Sequence, residues 1–346
     1  MMKKRILALL LIVSILAFVV GCQQASQDQP SQETPQKPAE EPAQEPAEEP
    51  AQEPSSDEKP YVAMIALGYG HQFWQAVRQG AENAAEEFGV RITFEGPEEE
   101  TMVDKQLDML NTALSNNPAA IALAAIDVEA VTPILKDAKS KGIRVVGFDS
   151  GCGDEAESHC STDNLQAAAL AAENAARLLE GKGKIGIVGH SQTVIDAVQR
   201  VDGFVEKIKN EYPDIEIVDI QYGDGDHLKS AEVTKGMLQA HPDIDLIYTS
   251  NEGACVGAYN GLKEAGKLNE VILVGFDSSA AMKEAIRNGE IAGAITQDPV
   301  GMGYKTVEAA VKLIKGEKVE EFIDTGCYWY DASNMDEDHI APLLYD

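Results

Sequence analysis

Short runs of β-branched and other apolar residues alternate with longer amphipathic stretches through most of this chain. Stretches such as 72–88 and 165–179 carry apolar residues at helical spacing, and another short run follows each of them. Strands that alternate with helices of this length predict βαβ units and parallel sheets covered on both faces. The predicted fold class is therefore α/β. The predicted strands cover residues 61–67, 90–95, 119–124, 143–148, 184–189, 215–220, 245–250, 271–276 and 291–296.

One six-residue segment occurs twice at equivalent points of this pattern. Residues 145–150 read VVGFDS and residues 273–278 read LVGFDS, and each copy ends the fourth strand of its series. A chance echo is the alternative explanation, but chance would not place both copies at equivalent strand ends. The repeat predicts two lobes of one topology, and a chain of this length suits two domains.

The repeat places an aspartate at the end of a strand in each half, Asp149 and Asp277. In open α/β sheets, ligands bind outside the carboxyl ends of the strands. If the lobes face each other across a cleft, both carboxylates point into it. They can then hold the hydroxyls of a sugar or polyol by charge-assisted hydrogen bonds. The alternative is that each aspartate caps the next loop or helix.

The first residues predict export. Residues 3–5 are basic and residues 6–20 are apolar, a run of signal-peptide length and shorter than a transmembrane helix requires. Residues 19–22 read VVGC and resemble the bacterial lipobox, in which the cysteine becomes the lipidated first residue of the mature protein. We therefore predict a signal peptide over 1–21 and lipidation at Cys22. A plain signal peptide or a single-pass anchor are the alternatives.

A segment rich in Pro, Glu, Ala and Gln follows, over residues 22–59. It lacks the apolar clusters that would offset the entropy of ordering, so we expect a disordered tether above a membrane. The formal net charge of the whole chain is −30. Such a charge argues against nucleic acid as a partner, because nucleic-acid affinity depends on Lys and Arg neutralising phosphates.

Four cysteines lie beyond Cys22, and their spacing is not that of a zinc site. No metal site is therefore expected. Cys152 and Cys160 lie close in sequence, and an exported protein can form disulfides, so this pair is either bonded or free. We expect Cys255 and Cys327 to be buried thiols.

The order and spacing of several motifs resemble type I periplasmic binding proteins of the ribose/galactose-binding cluster, the substrate receptors of ABC sugar importers. The resemblance covers residues 61–331 and implies two Rossmann-like lobes joined by a three-segment hinge that closes on ligand. The motifs occupy residues 70–90, 142–151, 161–164, 200–204, 240–258, 271–279 and 295–304.

The resemblance also implies where the chain crosses between the lobes. The crossings fall at Asp163, Asp298 and Thr325. The N-terminal lobe is then 60–162 plus 298–324, and the C-terminal lobe is 163–297 plus 325–346.

The ligand contacts of the family map onto eight residues: His71, Phe73, Trp74, Asp149, Ser150, Asn251, Asp277 and Gln297. Aromatic rings can cover the apolar face of a sugar while carboxylates and amides satisfy its hydroxyl rim. Of Phe73 and Trp74, we expect one ring in the cleft and the other packed beneath it. The remaining histidines are expected to be structural or solvated: His159, His190, His227, His241 and His339.

The chain departs from ribose binders at four positions. Ser150 and Val198 stand where ribose binders have arginines, Ala124 replaces an asparagine, and Gly225 replaces an aromatic residue. The predicted pocket has therefore lost fixed donors and bulk. A ligand other than ribose, or a larger one, fits these changes better.

The resemblance implies the substrate-binding component of an ABC transporter, working with a permease and an ATPase. We expect a monomer, lipid-anchored on the extracytoplasmic face of the cell membrane, without a cofactor. Paired aspartates also occur in glycosidases, but here they would lie on opposite mobile lobes, and no nucleophile elbow or P-loop pattern occurs. The alternative is a sensor that presents its closed form to a chemoreceptor or sensor kinase, with an autoinducer-like compound or a nucleoside as ligand.

Overall fold

The computed structural model describes residues 59–345, and the predicted signal peptide, Cys22 and the tether up to residue 58 lie outside them. The described strands are β1 (Tyr61–Ile65), β2 (Arg91–Glu95), β3 (Ala120–Leu123), β4 (Arg144–Phe148), β5 (Ser158–Ser161), β6 (Gly183–Gly189), β7 (Ile215–Tyr222), β8 (Leu246–Thr249), β9 (Ile272–Phe276), β10 (Gly293–Gln297), β11 (Phe322–Asp324) and β12 (Cys327–Tyr330). The described α-helices are α1 (Gln72–Phe88), α2 (Val103–Ser115), α3 (Val128–Ser140), α4 (Asn164–Leu178), α5 (Ile195–Glu211), α6 (His227–Ala240), α7 (Glu252–Glu264), α8 (Ala280–Arg287) and α9 (Pro299–Ile314).

These strands form two sheets with the same internal order. The first sheet runs β11-β5-β4-β3-β1-β2 and is parallel throughout. The second runs β12-β10-β9-β8-β6-β7 and is parallel except for β12, which pairs antiparallel with β10. The repeated strand ends follow β4 and β9, which hold the same place in the two sheets. The predicted α/β class with two parallel sheets is confirmed.

Helices cover both faces of each sheet. In the first sheet, one face packs a cluster around Met64, Val146 and Phe148, and the opposite face packs a cluster around Ile65 and Val145. Because successive strand residues point to opposite faces, the short apolar runs supply both clusters at once. We call the first sheet with α1, α2, α3 and α9 the first lobe, and the second sheet with α4 to α8 the second lobe.

Three strands were not predicted: β5, β11 and β12. The β5 sequence is SHCS, whose polar residues do not predict a strand. Pairing with β4 and β11 holds it as one. The other two are three and four residues long and lie where the chain leaves one sheet for the other. Their sequences, FID and CYWY, do carry residues that favour strands, but runs of three and four residues are too short to show a strand pattern.

The chain passes between the two sheets at three places in its described part. Asp163 caps the start of α4, Asp298 caps the start of α9, and Thr325 lies between β11 and β12. The passages are tied together, because the Asp324 carboxylate accepts from the backbone N–H groups of Asp163 (3.3 Å) and Gly326 (2.8 Å). That these passages bend as a hinge stays a prediction, as do the lobe boundaries.

The first and last helices of the first lobe lie unusually close together. A Cβ added at Gly80 of α1 would lie 1.8 Å from the carbonyl oxygen of Val300, and one at Gly303 of α9 would lie 1.9 Å from that of Val77. Only glycine permits this approach, which holds α9 against the sheet built from the N-terminal part of the chain. Between residues 59 and 345, no helix combines the length and apolar composition required to cross a membrane.

We expect Gly80→Ala to lower the free energy of unfolding by about 1–3 kcal/mol, since the added methyl group must push α1 and α9 apart. Urea unfolding followed by circular dichroism measures this change. Gly236→Ala is the matched control, because this exposed glycine lies in a helix and a Cβ there meets nothing within 4 Å. An equal loss in both variants would contradict the close approach of the two helices.

Candidate functional site

The two strand-end aspartates share an uncommon backbone conformation. Asp149 has φ 52° and Asp277 has φ 74°, both in the left-handed region that residues other than glycine rarely adopt. Asp and Asn tolerate this region better than other residues with a side chain. The chain therefore turns sharply after β4 and after β9 in the same way. Both side chains are turned into the space between the lobes, and both residues are buried.

These side chains line one small buried cavity of about 20 Å³ between the two lobes. Such a volume is far below the ~300 Å³ of ordinary small-molecule sites. The residues around it come from both lobes and include most of the predicted ligand contacts. They are Leu67, His71, Phe73, Trp74, Glu100, Asp149, His190, Asp196, Arg200, Asn251, Asp277 and Gln297.

The Asp277 carboxylate is held by its own lobe. Its Oδ1 accepts from Gln297 Nε2 at 2.6 Å, and its Oδ2 accepts from the backbone N–H of Glu252 at 3.0 Å. Asn251 lies beside it as the N-cap of α7, with its Oδ1 accepting from Ala254 N at 2.8 Å. Burial raises the pKa of Asp277, and Arg200 and these hydrogen bonds only partly offset it.

The Asp149 carboxylate has a different environment. No residue in the described part donates a hydrogen bond to it, and the nearest cationic atom is Arg200 Nη2 at 3.9 Å. Its neighbour Ser150 does not reach the cavity. The Ser150 hydroxyl donates to the Ala125 carbonyl oxygen at 3.2 Å, and the residue borders a separate pocket of about 400 Å³. The structure therefore brings together seven of the eight predicted contacts and leaves out Ser150.

Arg200 is the main residue that the sequence analysis did not place in the site. Its guanidinium donates to Asn164 Oδ1 (2.7 Å), to the Ser250 carbonyl oxygen (3.1 Å) and to Gln297 Oε1 (3.3 Å), and it lies over the Phe276 ring. It belongs to the RVDGF segment, which was noted only as a landmark. A buried arginine must be paired, and this rule would have indicated a site role once the helix was known to face the cleft.

His190 and Asp196 form a second group that the sequence analysis missed. His190 directly follows β6, its Nδ1 lies 2.8 Å from Ser250 Oγ, and its Nε2 lies 3.2 Å from Asp196 Oδ2. Both side chains are buried against the cavity, so His190 is not solvated. Burial opposes ionisation of Asp196, but Arg200 and His190 outweigh it and lower the pKa of this carboxyl. The rule applied to β4 and β9, that strand ends form sites, would have found His190 at the end of β6.

Phe73 and Trp74 both contribute to the cavity wall. Their rings meet edge to face with centroids 4.9 Å apart, and both residues are buried. The expected division, with one ring in the cleft and one beneath it, stays a prediction for the ligand-bound protein. Trp74 Nε1 donates to Glu100 Oε1 at 2.9 Å, and the Phe73 ring meets the Tyr345 ring at 6.1 Å. Tyr345 and Glu100 were not predicted, since no motif includes either of them.

Polar contacts cross between the lobes at the start of α1. The His71 side chain does not cap its own helix. Instead, the carboxylate of Glu252 in the second lobe accepts from the backbone N–H groups of Gln72 (3.4 Å) and Phe73 (3.3 Å). A negative charge at a helix N-terminus is favourable, so Glu252 acts as a cap supplied by the opposite lobe.

His71 adds a second crossing contact. Its Nδ1 lies 3.0 Å from Glu100 in the first lobe, and its Nε2 lies 3.1 Å from the Gly225 carbonyl oxygen in the second. Burial lowers the pKa of His71, but the carboxylates of Glu100, Glu252 and Asp277 outweigh it and raise the pKa to about 9. For the Glu252 carboxyl, burial acts in the opposite direction and raises the pKa to about 7. The crossing contacts are therefore sensitive to pH.

Of the two alternatives for Cys152 and Cys160, the structure has the free thiols, and both residues are buried. Cys160 packs in the cluster on one face of the first sheet and Cys152 in the cluster on the other. Burial raises the pKa of Cys152 to about 12 and that of Cys160 to about 11, so both are inert thiols. Cys255 is buried as expected, whereas Cys327 is only half-buried. Among residues 59–345, no group of three or more side chains is placed to hold a metal ion.

The raised pKa of His71 predicts how stability depends on pH. The contribution of protonated His71 is fully present below its ordinary pKa of 6.5 and is lost as the pH rises to about 9. The loss is on the order of 3 kcal/mol. We expect the melting temperature of the wild type to fall over this interval and that of His71→Gln to change less. The exposed His339→Gln is the control and should follow the wild type. Parallel pH profiles for His71→Gln and the wild type would contradict this role.

Comparison with known proteins assigns the family. A family model described as a periplasmic binding protein domain matches residues 62–318. The ribose import binding protein RbsB of Escherichia coli (strain K12) is 27% identical over 267 residues, 76% of this chain and 87% of that protein. The D-apiose import binding protein of Actinobacillus succinogenes is 28% identical over 280 residues, 79% of this chain and 88% of that protein.

Solved structures agree. An ABC transporter solute binding protein from Agrobacterium vitis with bound D-fucose is 31% identical with a TM-score of 0.79, covering 82% of this chain and 100% of that one. A carbohydrate transporter solute binding protein from Agrobacterium radiobacter in complex with D-arabinose is 29% identical with a TM-score of 0.79, covering 84% of this chain and 100% of that one. The chain therefore belongs to the periplasmic binding protein domain family and has its two-lobed type I fold.

Proposed function

We propose that this protein is the extracytoplasmic substrate-binding component of an ABC importer and that it captures a monosaccharide or a related polyol between its two lobes. One observation carries the proposal. Asp149 from one lobe and Asp277 from the other face the same buried cavity, and both follow a parallel strand in the same left-handed conformation. The relatives support the ligand class, since two are import binding proteins for ribose and D-apiose and two were solved with D-arabinose and D-fucose.

The residue types around the cavity suit a sugar. Carboxylates accept hydrogen bonds from hydroxyls and the Gln297 amide can accept or donate them, while Phe73 and Trp74 add aromatic side chains to the cavity wall, where C–H groups can pack. Each hydroxyl that is buried must find a partner, and this site concentrates such partners on both sides. A ligand that contacts both lobes binds the closed arrangement more tightly than an open one, and thereby shifts the population towards closure.

Ligand entry requires the lobes to separate, because a cavity of about 20 Å³ cannot admit a monosaccharide. The crossing contacts at His71 and Glu252 are polar, and beside them the Phe73 ring meets Tyr345, which packs on Ser278 of the second lobe, so opening separates both polar and apolar groups there. The three passages at Asp163, Asp298 and Thr325 are the segments that would bend. Closure is also the signal that a permease can read, since it changes the relative position of two surfaces.

A binding function is favoured over catalysis. The carboxylates of Asp149 and Asp277 lie on separate lobes, and the relatives named above are binding proteins. The partners are then a permease and an ATPase. Lipidation of Cys22 would anchor the monomer to the cell membrane, with residues 23–59 as a tether between the anchor and the lobes.

A thermal-shift screen with neutral and amino monosaccharides, polyols and nucleosides tests the ligand class. A ligand at ~100 times its dissociation constant adds about 2.7 kcal/mol of apparent stability, which gives a clear rise in melting temperature. We expect such a rise with at least one sugar or polyol. A rise with nucleosides alone would overturn the sugar assignment and keep the binding function.

Asp277→Asn should weaken binding of the sugar found in that screen by roughly tenfold or more, because a hydrogen bond to a charged group contributes about 1.5–3 kcal/mol. Asparagine keeps the shape of the side chain and tolerates positive φ, so the fold should be retained. Isothermal titration calorimetry measures the affinity. Asp108→Asn, an exposed site on α2, is the control and should bind like the wild type. Unchanged affinity in Asp277→Asn would remove this residue from the site.

A further inference from the structure

The charges around the central cavity do not balance. Carboxylates outnumber cations even if both histidines are protonated, since five face three. The carboxylates are Glu100, Asp149, Asp196, Asp277 and the adjoining Glu252, and the cations are Arg200, His71 and His190. An unpaired charge is costly to bury, so a carboxyl group without a cation beside it either holds a proton or gains a cationic partner, and the excess marks a place where such a partner would be stabilising.

The excess is greatest at Asp149, although Asp196 Oδ1 also lies buried without a hydrogen-bond partner. Asp149 is 4% exposed and lines the cavity, yet no residue in the described part of the chain donates a hydrogen bond to its carboxylate. Asp277, its counterpart in the second lobe, already accepts two hydrogen bonds at 2.6 Å and 3.0 Å. The two strand-end aspartates therefore share a backbone conformation, but only Asp277 has hydrogen-bond donors for its carboxylate.

The cationic side chains near Asp149 are paired more closely with other groups. Arg200 Nη2 lies 3.9 Å from Asp149 but 3.4 Å from Asp196 and 3.3 Å from Gln297. Its other nitrogens donate to Asn164 and to a backbone carbonyl oxygen. His71 is paired with Glu100 at 3.0 Å. A partner for Asp149 must therefore come from outside the chain.

The surroundings favour an organic cation over a metal ion. No group of three or more side chains in residues 59–345 is arranged to hold a metal. Instead, the cavity wall beside the carboxylates includes the rings of Phe73 and Trp74. Aromatic faces attract ammonium groups and also cover the C–H face of a sugar. The same wall thus suits a molecule with both features.

We propose that the cleft recognises a polyhydroxylated ligand that carries a protonated amine, such as an amino sugar, with the ammonium group bound to Asp149 and the hydroxyls to Asp277, Asn251 and Gln297. This inference rests on the proposed function, because it assumes that a sugar or polyol binds between the lobes. Beyond the proposed function, it states that the ligand is positively charged and that the first lobe binds this charge.

Proton exchange follows from the same geometry. Burial raises the pKa of Asp149, and the nearby Asp196, Asp277 and Glu100 add to this effect while Arg200 only partly opposes it. An ammonium group beside Asp149 favours the ionised carboxylate, so binding of the amine should release protons. A neutral sugar has no charge to stabilise the carboxylate and should release fewer. Calorimetry at one pH in two buffers of different ionisation enthalpy measures the number of protons released.

The test compares matched ligands on the same protein. D-glucosamine is measured against D-glucose and N-acetyl-D-glucosamine, and D-galactosamine against D-galactose and N-acetyl-D-galactosamine. We expect at least one amine to bind tenfold or more tightly than both of its neutral partners. Neutral sugars that bind as well as the amines would overturn this inference and leave the proposed function intact. Failure of every sugar and amino sugar would contradict both.

A variant locates the charge. In Asp149→Asn the preference for the amine over the neutral sugar should fall to about one, whereas Asp108→Asn should keep it. Asparagine suits the positive φ at this position, and the melting temperature of the unliganded variant checks its fold. A preference that survives in Asp149→Asn would overturn the assignment to Asp149. Stabilisation by Ca²⁺ alone, equal to that by the amine and lost in Asp149→Asn, would identify a metal site instead.

Discussion

Parallel strands within a sheet end at one edge, and this constraint organises the whole molecule. The six-residue echo at 145–150 and 273–278 places an aspartate at that edge in each sheet, and positive φ turns both side chains the same way. The two sheets have one order, and their edges face each other, since Asp149 and Asp277 line the same cavity. A binding site between the lobes then needs no special loop. It arises from the strand ends that the topology brings together.

The second lobe supplies most of the fixed polar structure around the cavity. Arg200 connects Asp196, Gln297 and the end of β8, and Gln297 in turn holds Asp277. Such a buried network is stable only if its polar groups have hydrogen-bond partners, and most of those in the second lobe do. The first lobe contributes aromatic rings and the unpartnered Asp149. The second lobe therefore has its hydrogen-bond donors already in place. The first lobe contributes Asp149, whose carboxylate accepts no hydrogen bond from the described residues.

The α/β class, the two sheets and the paired strand ends could be predicted because they depend on local periodicity and on a direct repeat. The short strands β5, β11 and β12 could not: β5 is polar and is held by its neighbours, and β11 and β12 are too short to show a pattern. The same limit applied to the site. Residues at strand ends, such as Asp149 and Asp277, were predicted, whereas Arg200 and Glu100 reach the cavity from a helix and a loop whose orientation only the packing defines. The resemblance placed Ser150 in the site beside Asp149, but its hydroxyl donates to the Ala125 carbonyl oxygen instead.

The central claim is that one ligand is held by both strand-end aspartates. A crystal structure with the tightest ligand bound tests it most directly. The account predicts oxygens of Asp149 and of Asp277 within hydrogen-bond distance of the same molecule, about 2.5–3.2 Å. It would be contradicted by a ligand that contacts only one lobe. It would equally be contradicted by one bound in the larger pocket of about 660 Å³ beside His71, Glu98 and His227, outside the reach of both aspartates.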